Sequence, residues 1–374
     1  MCACTKNEVT ALPDQEISFQ VANYMSQTKA NVAFDQKLTF GTYAWQNPLP
    51  AGKAPMFMNN QEIGYSGSVW KATDKVYYWP KTGGVDFISY APYAGTPWLT
   101  VTSSKLSASV SALAADADYL YADKAVGYSS NVDQIKDNVE SGLTGVPTLF
   151  HHALAQVGAK VYAAKLFDGE TLAKSDVRWE IKVVSASLNK VADAGELSMN
   201  LAPSSSANGQ IVNWVLPTNE VWSTTAYRKS YTFAAPDVTA ITPAEAHDLL
   251  AYTSVVPQTF VAEPTPTTDG TQVKETPEEV IPTGQYISIT VEVKSYNKKN
   301  AEDSGITNLY STETYTKNIP LTAMTSNGGA NVSWKMNYRY LYYICIDPSS
   351  QVAITFDPAV TAWTEVTGED YWVL

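Results

Sequence analysis

Apolar residues alternate with polar ones along much of this chain, and a period of two marks a strand with one buried face. In the first run, residues 16–24, Ile17, Phe19 and Val21 lie on one side, with polar or small residues between them. Similar runs, separated by Gly, Pro, Asn or Asp, predict strands at residues 38–45, 68–70, 76–79, 85–91, 154–165, 179–184, 196–200, 210–216, 286–293, 339–346 and 352–356. Since no convincing amphipathic helix lies between these runs, the pattern predicts an all-β fold.

Two stretches fall outside this alternation. Residues 103–115 are rich in Ala and Ser and fit either a helix or a loop. Residues 257–283 contain five prolines, with Thr and Glu between them. Because proline donates no hydrogen bond to a strand ladder, we expect an exposed, mobile loop at 257–283.

The order of the strands predicts two domains. The strand pattern restarts at Leu149, after a turn-rich stretch that ends at Pro147. A chain of 374 residues also suits two domains, since one domain usually takes about 100 to 200 residues. We therefore expect a tether at residues 1–15, an N-terminal β-sandwich at 16–147 and a C-terminal β-sandwich at 148–374.

Composition and charge narrow the functional classes. The chain has 25 Lys and Arg against 37 Asp and Glu, so its net charge is −12, which excludes nucleic acid as a partner of the whole surface. Hydrophobic residues make up 45% of the chain and supply a large core. Three cysteines do not form a disulfide framework, and no run of 18 or more uncharged apolar residues predicts a transmembrane helix.

The common sequence signatures of catalysis are absent. There is no phosphate-binding loop, dinucleotide-binding glycine pattern, nucleophile elbow or His-Glu-x-x-His motif. His151 and His152 are adjacent, so on a strand they point to opposite faces and are poorly placed to bind one metal. Asp116, Asp118 and Asp123 lack the ligand spacing of a calcium loop. We expect no enzyme, no cofactor and no metal.

The N-terminal residues are similar to the processed end of a bacterial lipoprotein signal. Ala3 supplies the small side chain that precedes a lipidated cysteine, and the residues after Cys4 are polar. We expect a lipid on Cys4, whose acyl chains would hold the precursor on the outer membrane. Two incidental cysteines in an unstructured end are the alternative interpretation.

Several stretches, in a fixed order, carry a resemblance to a known family. They are the start at Cys4, strand 17–24 followed by Thr28-Lys29-Ala30, and residues 40–45, 118–122, 146–155 and 354–363. Over nearly its whole length the chain resembles the fimbrillin-like subunits of Bacteroidales fimbriae, also called type V pili. This resemblance implies two transthyretin-like Greek-key β-sandwich domains in tandem, in a fimbrial subunit at the cell surface.

The resemblance also implies a mechanism of assembly. A trypsin-like surface protease cuts after the first strand, and an extended C-terminal segment of another subunit then takes that strand's place. Carried onto this sequence, the removable strand contains Ile17, Phe19 and Val21, and Lys29-Ala30 is the processed bond, with Lys37 as second choice. The donor segment contains Val366, Tyr371, Trp372, Val373 and Leu374. The implied partners are identical or related fimbrial subunits, together with a host protein or glycan as adhesion ligand.

One departure from the family pattern bears on processing. The family's cut typically follows an arginine, whereas the first arginine here is Arg178. A strictly Arg-specific protease would leave the first strand in place, and an uncut subunit suits an anchor or a terminal position. The alternative function is a monomeric outer-membrane lipoprotein that binds glycans through the aromatic clusters at 77–79 and 338–343, although a sandwich buries about half of such side chains.

Overall fold

The computed structural model describes residues 16–23, 32–48, 56–103, 105–110, 113–129, 145–200, 212–215, 228–233, 241–243, 245–261, 281–299, 305–323, 325–326, 329–330, 333–349 and 353–362. Two short 3-10 helices lie at Leu172–Lys174 and Leu321–Ala323. The strands are β1 Phe19–Asn23, β2 Val32–Ala33, β3 Phe40–Asn47, β4 Met56–Ser66, β5 Val69–Ala72, β6 Gly84–Ala91, β7 Thr100–Val101, β8 Lys105–Val110, β9 Leu120–Ala122, β10 Ala125–Tyr128, β11 Val146–His152, β12 Ala155–Ala163, β13 Val177–Ala192, β14 Gly195–Asn200, β15 Val212–Val215, β16 Arg228–Phe233, β17 His247–Val255, β18 Gln258–Thr259, β19 Tyr286–Lys298, β20 Ile306–Pro320, β21 Thr325–Ser326, β22 Gly329–Ala330, β23 Ser333–Trp334, β24 Tyr338–Asp347 and β25 Ala353–Ala362. The prediction of an all-β fold is confirmed.

Seven strands of the N-terminal half form a closed, barrel-like sheet. Their order is β6, β3, β4, β5, β1, β11 and β9, and β9 pairs back onto β6 at Tyr90↔Tyr121 and Ala91↔Leu120. Every neighbouring pair in this ring is antiparallel except β1 and β11, which run parallel. We call this ring the barrel. Its interior is filled by buried apolar side chains, both aliphatic and aromatic.

Strand β3 is buried on both faces because a second layer covers the outside of the barrel. Phe40 and Ala44 face the barrel interior, whereas Tyr43 and Trp45 belong to a second apolar cluster. The sheet β15-β14-β8-β7 supplies the other side of that cluster. Its strand β8 comes before residue 147 and its strand β14 comes after, so both halves of the chain build this layer.

The C-terminal half forms a sandwich of two four-stranded sheets. One has the order β17-β12-β24-β25 and the other β16-β13-β19-β20. Alternate residues of β12, β13, β19 and β24 fill a shared apolar core. In β19, for example, Ile287, Ile289 and Val291 are buried while the residues between them are more exposed. This alternation is the one that the sequence predicts for residues 286–293.

Three sequence-based assignments need correction. Residues 76–79 form no strand and contribute only the isolated bridge Glu16↔Tyr78. Residues 105–110, expected as helix or loop, form β8, because Leu106 and Ala108 pack into the second cluster and tertiary contacts outweigh the helix propensity of Ala. The predicted exposed loop 257–283 is wrong at its start, where Phe260 packs edge-on against Trp334 in the core. The rest of that loop, 262–280, lies outside the described residues.

Position 147 lies inside β11, which pairs with β1 on one side and β9 on the other. The domain limits placed there, and the assignment of both domains to transthyretin-like Greek-key sandwiches, stay predictions. Within the described ranges, no helix has the length and apolarity needed to span a membrane.

Candidate functional site

The first strand occupies a seam of the barrel. Five consecutive residues of β1 pair with β11, from Phe19↔Val146 to Asn23↔Phe150. On its other side β1 meets β5 at one position, Phe19↔Trp70, and meets the two-residue strand β2 at Ala22 and Asn23. We call the space that β1 occupies between β5 and β11 the slot. Emptying the slot would break the ring of hydrogen bonds that closes the barrel.

Backbone hydrogen bonds fix the register of the strand in the slot. The Val146 N–H donates to the Ser18 carbonyl at 2.8 Å, and the Ile17 N–H donates to the Tyr77 carbonyl at 2.8 Å. Because successive residues of a strand direct their N–H groups to opposite sides, the nitrogen of Pro147 points away from β1. A proline in β11 therefore costs the β1 ladder no donor.

The inward side chains of β1 and of Ile17, two residues before it, are packed in the barrel. Ile17 and Phe19 are each 2% exposed, and Val21 packs against the same core while half-buried. The Phe19 ring lies 5.6 Å from the rings of both Phe40 and Phe87, edge-on to each. Such edge-to-face pairs add to the stabilisation that burial provides. The three residues predicted as the removable strand are thus the ones that this strand inserts into the core.

Gly145 lies against the backbone of β1, with no room for a side chain. Its φ is +134°, and a Cβ built there would lie 2.8 Å from the Phe19 carbonyl carbon and 3.0 Å from the Gln20 nitrogen. Both the left-handed backbone and the close approach favour glycine. No sequence pattern pointed to Gly145, since a glycine before a strand also fits an ordinary turn.

Phe34 extends the slot beyond the end of β1. It follows β2, is 3% exposed, and its ring lies 4.9 Å from Phe150 of β11 and 5.4 Å from Trp70 of β5. It therefore bridges the two strands that flank β1. Phe34 was not predicted, because it ends a run of only three apolar residues, 32–34, which is too short to show an alternating pattern. Phe34 precedes Lys37 but follows Lys29, so the two candidate cuts differ in whether they remove it.

A second seam of the barrel, where β6 meets β9 and β10, is held by charge as well as by pairing. Lys124 Nζ lies 3.2 Å from Asp86 Oδ2, and their side chains are 7% and 11% exposed. The other carboxylate oxygen of Asp86 accepts the Gly127 N–H at 2.8 Å. Burial raises the pKa of Tyr90 to about 12 and also raises the pKa of Tyr121, so both phenols stay neutral at physiological pH. The buried ion pair and the hydrogen bond to Gly127 therefore stabilise this seam in addition to its strand pairing.

The two adjacent histidines point to opposite faces of β11, as predicted. His152 is buried with Nδ1 2.7 Å from Asp118 Oδ1, and His151 Nε2 lies 3.2 Å from Asp123 Oδ1. The two aspartates flank β9, which pairs with β11. The Asp118 carboxylate therefore fixes the His152 imidazole by a hydrogen bond, while Asp123 lies beside His151. Within the described ranges, no three His, Cys, Asp or Glu side chains gather as a metal site.

The aromatic clusters divide between core and surface. In 338–343, Tyr340 and Tyr342 are buried in the sandwich core, and in 77–79 Trp79 is buried while Tyr78 is 47% exposed. Among the predicted site residues, Lys37 is described and exposed. Outside the described residues lie Cys4, Lys29, Ala30, Val366, Tyr371, Trp372, Val373 and Leu374.

Comparison with solved structures found the following similarities. A fimbrial protein from Bacteroides vulgatus ATCC 8482, known from a crystal structure, is 15% identical with a TM-score of 0.53, over 93% of this chain and 99% of that chain. A "putative cell adhesion protein" from Bacteroides uniformis ATCC 8492 is 13% identical with a TM-score of 0.42, over 93% and 99%. A protein of the same description from Bacteroides ovatus ATCC 8483 is 14% identical with a TM-score of 0.45, over 96% and 100%.

A search of curated proteins gave no match. The profile of the fimbrillin-like family, in contrast, matches residues 28–363. This match covers β2 through β25 and confirms the resemblance read from the sequence. The chain belongs to the fimbrillin-like family.

Proposed function

We propose that the protein is a structural subunit of cell-surface fimbriae, assembled by exchange of its first strand. In this proposal a trypsin-like protease cuts the Lys29-Ala30 bond, β1 leaves the slot, and a neighbouring subunit's C-terminal segment fills it. Val366 and residues 371–374 form that donor segment. The observation that carries the proposal is how the segment 17–23 is held: β1 pairs with β5 at one position and with the short strand β2 at two, yet Ile17 and Phe19 are fully buried in the core.

The energetics explain why a cut is needed before exchange. Burying Ile17 and Phe19 contributes about 3 to 6 kcal/mol, at about 1.5 to 3 kcal/mol for each large apolar side chain. A strand tethered to its own barrel also has an effective concentration of about millimolar, which a free donor does not match. Cleavage removes the tether but not the apolar slot. The emptied slot then favours any strand with matching side chains.

The remaining parts of the proposal concern export and architecture. A lipid on Cys4 would carry the precursor to the outer membrane, and residues 1–15 would act as its tether. Residues 16–147 and 148–374 would be the two transthyretin-like domains. Replacing Cys4 by Ser tests the anchor, because the variant should lose both incorporation of labelled palmitate and recovery in the membrane fraction.

The geometry around Lys37 favours Lys29 as the cut. The Lys37 N–H donates to Asp35 Oδ1 at 2.9 Å, and the Leu38 N–H donates to the Asp35 carbonyl at 3.0 Å. These bonds fold Lys37 into a tight turn, whereas a protease binds its substrate extended. A cut at Lys37 would also remove Phe34 with β1. A cut at Lys29 leaves Phe34 on the subunit.

Limited trypsin digestion, followed by N-terminal sequencing and electrophoresis without heating, tests the proposal. We expect a product that begins at Ala30 and a ladder of heat-labile polymers. Lys29→Ala should abolish both, while the matched variant Lys37→Ala should change neither. An excess of a peptide of residues 16–23 should suppress the ladder, since it refills the slot.

One result would count against the proposed cut, and another against the function. A product that begins at Leu38 would assign the cut to Lys37. Resistance at Lys29 with a persistent monomer would favour an uncut anchor subunit or the glycan-binding lipoprotein.

The donor is tested separately by deleting residues 366–374, which should permit cleavage but prevent polymers. Polymers formed by the deleted chain would exclude this segment as donor.

A further inference from the structure

Strand β20 is an unusually long sheet edge. It extends over 15 residues and forms the last strand of the sheet β16-β13-β19-β20. In the part of the chain that the structure describes, β20 pairs with β19 alone. The outer N–H and C=O groups of an edge strand are a template for another strand. Proteins either block such an edge against pairing or bind a partner strand along it.

The charged side chains on β20 limit which strands can pair with this edge. Glu313, Tyr315 and Lys317 lie opposite Val293, Val291 and Ile289 of β19, so they share the face of the sheet that β19 buries, with Tyr315 and Lys317 half-buried and Glu313 exposed at the edge. The Tyr315 hydroxyl donates to the Glu313 carboxylate within the strand, and Tyr315 also packs partly against the sandwich core. An inward charge at an edge repels most strands that might add there. A strand that brings the opposite charge to that position is the exception.

A second copy of β20 brings that charge in one arrangement. When two copies run antiparallel about a two-fold axis at Tyr315, Glu313 of each faces Lys317 of the other. Opposite charges across an antiparallel pair are stabilising, and like charges are destabilising. An axis at Glu313 instead sets Glu against Glu, and a parallel pair in register does the same. The charges therefore favour the antiparallel pair with its axis at Tyr315 over these two arrangements.

The same arrangement satisfies the rest of the edge. It sets Tyr310, which is 76% exposed, against the second copy's Pro320, where the phenol ring can lie on the pyrrolidine ring. Thr312 then faces Asn318, and Thr314 faces Thr316, so hydroxyl and amide groups meet across the pair. The pairing extends over residues 310–320, where Ser311 facing Ile319 is the one pair without complementary side chains.

We propose that β20 is a docking edge for a second copy of this chain, which adds antiparallel with its two-fold axis at Tyr315. The two four-stranded sheets become one sheet of eight strands. This contact lies on the C-terminal sandwich, uses no residue of the slot, and stands whether or not the first strand is exchanged. It would join subunits side to side, whereas strand exchange joins them end to end.

Charge reversal and charge exchange test the proposal, measured by sedimentation velocity of the uncut chain over a concentration series. Glu313→Lys alone and Lys317→Glu alone each set like charges opposite one another and should weaken self-association by about tenfold or more. The double variant restores both pairs and should recover the wild-type constant within about threefold. Far-UV circular dichroism confirms that each variant folds.

Cross-linking supplies the second measurement. Opposed residues of an antiparallel pair have Cα atoms about 4.5 to 5.5 Å apart, a distance that a disulfide spans. With Cys2, Cys4 and Cys345 changed to Ser, Tyr315→Cys should therefore form an intermolecular disulfide. Thr307→Cys, on the same strand but away from the axis, should not.

Three results would overturn the proposal. A wild-type chain that stays monomeric at up to about 200 µM lacks even a weak interface. A double variant that associates no better than the single variants excludes this register. A monomer that dimerises only after deletion of residues 262–280 shows that this segment of the chain occupies the edge instead.

Discussion

Phe19→Ala measures how strongly the slot holds its strand. Phe19 is 2% exposed and meets two aromatic rings edge-on at 5.6 Å. Removing the ring loses about 2 kcal/mol of transfer free energy, and with the cavity left behind the total reaches about 3 to 5 kcal/mol. Because β5 pairs with β1 at one position only, we expect the loss to appear as local release of β1.

Hydrogen exchange of the peptides covering residues 145–152 is the assay, since the Val146 N–H donates to the Ser18 carbonyl. An opening free energy lower by about 3 to 5 kcal/mol accelerates exchange about 10² to 10³-fold or more. The matched control is Gln20→Ala on the same strand, whose side-chain oxygen accepts no hydrogen bond from the described residues. Unchanged exchange in Phe19→Ala, or equal acceleration in both variants, would refute the reasoning.

Three further substitutions test other parts of the fold. In urea unfolding, Gly145→Ala should lower the free energy of unfolding at least twice as much as Gly67→Ala. Both glycines have positive φ, but only Gly145 has β1 within 3 Å of the added Cβ. Equal losses in the two variants would show that φ alone matters. Gln258→Leu should cost about 2 to 4 kcal/mol in the same measurement, since the Ala192 N–H and the Gln285 amide both donate to Gln258 Oε1 and would lose their acceptor; a neutral result would mean that water replaces the amide. A hydrogen bond from Arg178 lowers the pKa of Glu180 from its ordinary value of 4.5, so the contribution of Glu180 is complete above that pH and is lost as the pH falls below it. Glu180→Gln should therefore lower the melting temperature more at pH 7 than at pH 3, and an equal difference at both pH values would contradict the charge pairing.

Local patterns along the chain predict local structure well in this protein. The alternation of Ile17, Phe19 and Val21 predicts their common face, and the structure buries that face in the barrel. The adjacency of His151 and His152 predicts their opposite directions. These outcomes depend on the side-chain period of a strand, which is a property of a few consecutive residues.

Features that join distant segments were not predictable in the same way. Nothing in residues 16–24 indicates that β1 pairs with β11, because the partner of a strand is set by the packing of the whole sheet. Phe34 has no periodic neighbours, and its role comes from Trp70 and Phe150, which lie on two other strands. Residues 105–110 likewise become a strand because β14 pairs with them. In each case a tertiary contact decides what the local sequence leaves open.

The parallel pair of β1 and β11 also sets the order in which the barrel folds. β1 is the first strand of the ring along the chain, yet its main partner begins at Val146, after all the other barrel strands have been completed. Contacts between such distant segments form slowly, because a long loop must close before they contribute any stabilisation. We therefore expect a folding chain to pass through an interval in which the slot is open and Ile17 and Phe19 are not yet packed in the barrel. During that interval the tether keeps β1 at a high effective concentration near the slot. The chain therefore fills its own slot faster than a strand of a neighbouring chain does.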